Sequence, residues 1–96
     1  MSDEMPDDSV LLRTIGLGMD IKVFKKSPVG KFLLDRAEME AVQSFNALKI
    51  ADPEDPRLIR ELQNKIKVAE SFELWLEEGI ESGKNAEDQY EASRLD

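Results

Sequence analysis

Glu70, Glu73, Glu77 and Glu81 recur at spacings of three and four residues. Carboxylates so spaced share one helix face, and facing helices that carry them hold pairs of metal ions in carboxylate bundles. That chemistry also uses a Glu-x-x-His pattern, and the chain has no histidine. The facing helix would offer only Asp35, Glu38 and Glu40, so a solvated acidic face is the simpler reading. Asp52, Glu54 and Asp55 are hard oxygen ligands in one turn, suited in type to a divalent cation. The turn lacks the central glycine and distal glutamate of a calcium loop, and helix capping accounts for the same acids. Gly30-Lys31 lacks the upstream glycine and the following serine or threonine of a phosphate-binding loop. Ser44, Ser71, Ser82 and Ser93 have no histidine to activate them, and there is no cysteine. The expectation is a protein that is not an enzyme, with no catalytic, metal or cofactor-binding residues.

What remains is charge and apolar surface. The 96 residues carry a formal net charge of -8, which repels phosphate backbones and disfavours nucleic acid as a partner. The charge is polarised. Residues 22–49 hold six basic and three acidic groups, among them Lys22, Lys25, Lys26 and Lys31, whereas residues 70–96 hold two basic and nine acidic groups. The basic cluster is suited to meet the acidic glutamates, within one chain or between chains. The start, Met1-Ser2-Asp3-Glu4, is acidic where a secretory signal is basic. No apolar run approaches the roughly 20 residues that span a bilayer. A soluble intracellular protein without membrane contact is expected.

The elements that would carry these residues are helical, since no window alternates with period two over a useful length. The expected fold is all-α: an antiparallel two-helix hairpin with short additional helices at the N- and C-terminal ends. Residues 1–8 read as a flexible acidic arm and 9–96 as a single helical domain, with the hairpin at 28–82 and its turn at 52–55. Ser27 and Pro28 have the N-cap and first-position chemistry of a helix start. Leu33, Leu34, Ala37, Ala41, Phe45 and Leu48 form its apolar stripe. Pro53 stops that helix, and Asp55-Pro56 starts the next. Ile59, Leu62, Ile66, Ala69, Leu76 and Ile80 form the second stripe, with Phe72 beside it and Glu73 where an apolar residue should stand. Gly83 reads as a left-handed cap closing this helix after Ser82, with a short last helix from about Ala86. Upstream, Gly16 and Gly18 read as the end of a short helical segment that starts near Ser9.

Apolar residues off these stripes are the interface candidates. Phe32, Met39 and Ile50 lie opposite the first stripe, and Val68 and Trp75 lie at one edge of the second. Leftover apolar surface of this kind marks contact with other proteins. Two functions follow. One is a non-enzymatic structural or assembly protein, a homo-oligomer or a binder of a protein partner through helical faces. The alternative is a small acidic inhibitor or adaptor whose glutamates occupy a basic surface of a host protein in the manner of a DNA mimic.

Residues 27–89 also resemble small uncharacterised helical proteins encoded by tailed bacteriophages. The resemblance rests on Ser27-Pro28-x-Gly30, Arg36-Ala37-Glu38, the turn Asp52-Pro53-Glu54-Asp55-Pro56, Leu62-Gln63-Asn64, Ala69-Glu70-x-Phe72, Trp75-Leu76, and Gly83 with Ala86. It implies a phage origin, a place among head or packaging functions, and a location in the host cytoplasm or the virion. A packaging subunit that reads DNA would carry a helix-turn-helix, which residues 9–26 are too short and too glycine-rich to supply.

Overall fold

Helix formation here is governed by caps and by one glycine contact. The computed structural model describes residues 7–95. They form α1 (Asp8–Lys26), α2 (Pro28–Lys49) and α3 (Pro56–Ser93), and among the described residues there is no strand. The all-α class is as expected. The expected pattern of two long helices with short helices at the ends is replaced by three long helices.

The α1 start is set by Asp7, whose carboxylate accepts from the Val10 N–H (3.0 Å) and the Ser9 hydroxyl (2.7 Å). Of the expected arm, residues 1–6 lie outside the described residues, whereas Asp7 and Asp8 belong to this helix start. Neither Gly16 nor Gly18 ends α1, which runs to Lys26 with Lys25 and Lys26 favourably placed in its last turn. Ser27 then adopts an extended backbone (φ -72°, ψ 157°), as a residue before proline prefers. Its hydroxyl accepts from the Gly30 N–H at 2.9 Å, and Pro28 opens α2 as expected.

After α2, the Asp52 carboxylate accepts from the Glu54 N–H (2.9 Å), a side-chain turn that reverses the chain. Asp55 caps α3 by accepting from the Leu58 N–H at 3.1 Å. Asp52 and Asp55 are thus engaged with the backbone. The next difference is at Gly83. α3 continues through it for 38 residues, and no glycine has positive φ among the described residues, so there is no left-handed cap and no separate last helix.

The reason lies in packing. The described residues pack as two units. In the first, α1 packs against the part of α3 from Leu76 onward, with Leu11, Gly18, Gly83 and Ala86 buried. A Cβ on Gly18 would lie 3.0 Å from the Gly83 Cα, and one on Gly83 would lie 3.0 Å from the Gly18 Cα. The backbones touch where only hydrogen fits. A glycine inside a helix costs about 1 kcal/mol relative to alanine, and close helix approach repays that cost.

The second unit, Ser27–Trp75, holds α2 and the first part of α3. Gly30, Ser44, Leu62 and Ala69 are buried in it, with Leu34, Ala37, Ala41, Leu48, Ile59 and Ile66 half-buried. The α3 stripe is as expected. The α2 stripe is displaced toward small residues. Leu33 and Phe45, expected inside, are exposed, and the Lys49 ammonium stands 5.0 Å from the centre of the Phe45 ring. Across the described residues the buried apolar set is only Leu11, Leu62, Ala69 and Ala86.

Candidate interaction surfaces

At 100° per residue, the inward positions Gly30, Leu34, Ala37, Ala41, Ser44 and Leu48 occupy one sector of α2. Phe32, Met39 and Ile50 fall on the opposite side, and all three are exposed, Ile50 by 87%. Val42 is exposed between them. Val68 and Trp75 are exposed on α3 at 69% and 62%. The five apolar residues singled out in the sequence therefore all present surface. Their distribution is uneven: three share one face of α2, whereas Val68 faces an open groove.

That groove belongs to the Ser27–Trp75 unit and encloses about 930 Å³. Leu33 and Ala37 of α2 and Val68, Ala69 and Phe72 of α3 supply its apolar lining. Arg36, Arg57, Arg60 and Lys65 also line it, with Glu40 and Glu61, so its charged lining is on balance basic in an otherwise acidic chain. The Arg36 and Glu40 side chains are 3.7 Å apart, one turn from each other on α2. Both are solvated, and such a pair contributes a few tenths of a kcal/mol at most.

The charged candidates separate. Lys25 and Glu77 form an ion pair and hydrogen bond within the first unit. This is the one pairing of a lysine of the 22–31 cluster with a glutamate of the 70–81 stripe among the described residues. Lys22 lines a shallow crevice beside Lys84 and Glu87, and Lys31 sits in the first turn of α2. Glu70, Glu73 and Glu81 are exposed. Among the described residues no group of three or more acidic, histidine or cysteine side chains is placed to hold a metal ion. No helix there is long and apolar enough to cross a membrane.

The Ser9 hydroxyl, and after it the Val10 N–H, hold the Asp7 carboxyl below the ordinary value of a free aspartate, with desolvation opposing them. This is the electrostatic signature of an N-cap.

Sequence reasoning missed the Gly18 contact with Gly79-x-x-x-Gly83. The signal was present, since two glycines four apart lie on one helix face and permit a close crossing. It also put Phe45 in the inward stripe, judging it by hydrophobicity and not by the size of its inward neighbours, and it singled out neither Val29 nor Val42, which are exposed as well. No protein-family model, no curated protein and no solved structure matches this chain.

Proposed function

We propose that this chain is a non-enzymatic assembly protein that works by helix-to-helix contact with further copies of itself, with α2 and the first part of α3 arranged as an antiparallel hairpin. The observation that carries this reading is an inversion of the usual apolar distribution. Small residues make up most of the inward face of α2, while Phe32, Met39, Val42, Phe45, Val68, Leu74 and Trp75 are more than half exposed. Fully burying such a side chain stabilises by roughly 1.5–3 kcal/mol. A chain of this size supplies only a few kcal/mol from its own core, and oligomerisation is a standard supplement. The setting we propose for such an assembly, a particle or its packaging apparatus, rests on the resemblance of residues 27–89 to phage proteins alone.

A second reading, an acidic inhibitor or adaptor on a host protein, is favoured by the exposed carboxylates of Glu70, Glu73 and Glu81. The absolute mass in solution at low and high salt separates the two. A discrete oligomer that persists in high salt supports assembly through apolar faces, since salt screens charge contacts and not apolar ones. In that case Trp75→Ala lowers the oligomer fraction while the helical circular dichroism is retained. A monomer at both salts refutes self-association and leaves the acidic binder.

A further inference from the structure

The outward face of α2 has a pattern of its own. Phe32, Asp35, Met39, Val42, Asn46 and Lys49 follow one another at spacings of 3, 4, 3, 4 and 3, and all six are exposed. This is the a/d spacing of a coiled-coil seam, and it lies on the outward side of the same helix. The seam is apolar at its middle, and its two halves differ: Phe32 and a carboxylate at the start, an amide and an ammonium at the finish.

That order discriminates between possible partners. Were two α2 helices to pair in parallel, each seam residue would face its own copy. Asp35 would meet Asp35 and Lys49 would meet Lys49, two like-charge contacts in the seam. Antiparallel pairing places a positions against d positions. Met39 then meets Val42 of the second copy, Asp35 meets Asn46, and Phe32 meets Lys49. The layers match apolar with apolar, a carboxylate with an amide donor, and a cation with an aromatic ring. Such a contact is its own mirror under a two-fold axis, as an isologous interface requires.

We propose that α2 pairs antiparallel with α2 of a second copy of this chain, about a two-fold axis between residues 40 and 41. The proposal rests on the self-association proposed above and specifies its surface. The area suffices. Val29, Phe32, Met39, Val42 and Ile50 are between 51% and 87% exposed, which leaves about 400 Å² of apolar side chain per copy to bury. A standard interface takes about 800 Å² from each partner, a little over half of it apolar. Asn46 in the seam, with Asp35 as its partner, would fix the register, the role polar seam residues play in coiled coils.

The chain has no cysteine, so introduced ones report without background. One stock carries Phe32→Cys and another, with a tag of different size, Lys49→Cys. The two are mixed, re-equilibrated and mildly oxidised. The expected product is a cross-linked pair of one chain from each stock. Either stock alone should stay uncross-linked, because its two cysteines would lie about 25 Å apart along the helices, and a disulfide needs Cα atoms within about 7 Å. Cross-linking within either stock alone would overturn the antiparallel register. A wild-type dimer whose mixed stocks fail to cross-link would overturn this interface and leave self-association standing, whereas a wild-type monomer would overturn both. As a second arm, Met39→Lys alone should convert dimer to monomer with helical circular dichroism unchanged, and adding Val42→Glu should restore the dimer. Retention of the dimer by the single variant, or failure of the pair to restore it, would also refute the proposal.

Discussion

Substituting each glycine of the first unit by alanine gives a graded test of the packing account. Alanine in a helix interior is favoured over glycine by up to about 1 kcal/mol, so a glycine that serves no purpose should gain stability on substitution. Around Gly16 nothing lies within 4 Å of a built Cβ, and Gly16→Ala should stabilise by about 0.5–1 kcal/mol. At Gly79 the new methyl would run into Cδ1 of Ile21, the movable end of a side chain, so gain and loss should nearly cancel. At Gly83 the obstacles are backbone: the Gly18 Cα at 3.0 Å and the Thr14 carbonyl oxygen at 3.2 Å. Gly18 is blocked in the same way, by the Gly83 Cα and by the Gly79 carbonyl oxygen at 3.2 Å. Neither can yield without moving a helix, and overpacking of this sort costs about 1–3 kcal/mol. After the alanine gain is subtracted, Gly18→Ala and Gly83→Ala should each lose about 1 kcal/mol. In a chain of this length that lowers the melting temperature by about 4–8 °C. Thermal unfolding followed by circular dichroism, at one fixed protein concentration, measures the series. Gly83→Ala melting at or above wild type would refute the claim that these glycines are kept for close approach. So would a Gly16→Ala variant that melts as low as Gly18→Ala.

The caps give two further expectations. Ser27→Ala and Asp55→Ala each remove an acceptor from a helix start and should each cost about 1 kcal/mol, read in urea midpoints at constant slope. Asp7 contributes in a pH-dependent way. Its folded-state pKa lies below 3.8, so its stabilisation is complete above that value and is lost as pH falls through the lower, folded-state one. The difference in helicity between wild type and Asp7→Ala should therefore be constant from neutral pH to about pH 5 and disappear under stronger acid. A difference that persists unchanged at the acid end would mean that the carboxylate is not what caps α1.

Legibility from sequence divided along the line between local and non-local causes. The starts of α2 and α3 were readable because Ser27-Pro28 and Asp55-Pro56 act within one turn of themselves. The α3 stripe was readable because Ile59, Leu62, Ile66 and Ala69 repeat at helical spacing. Gly18 and Gly83 were misread because the local rule for glycine is to stop a helix, and what overrides it is a contact between these two residues, 65 apart in sequence; α1 runs through Gly16 as well, with no such contact there. Nothing local distinguishes a capping glycine from one reserved for a crossing. The two-glycine spacing at 79 and 83 was the available clue. Of the candidate surface, the exposed apolar residues were legible from the helical wheel alone, whereas the Lys25–Glu77 pair was not, since the wheel does not say which turns of two helices lie level.

The displaced α2 stripe carries the functional argument furthest. If apolar burial within one chain were the whole purpose, α2 would turn Phe45 and Leu33 inward and leave Ser44 and Gly30 outside, since large side chains gain more on burial. It does the opposite. Small residues are turned inward on α2, and the bulky residues are left exposed on the flanks and on the far side. Such an arrangement is uneconomical for an isolated chain. It is the expected one for a helix that belongs to two interfaces at once, one with its own α3 and one with a partner. On the pairing proposed above, the polar residues Asp35 and Asn46, which flank Met39 and Val42 in the outward seam, serve to exclude the wrong orientation as well as to hold the right one.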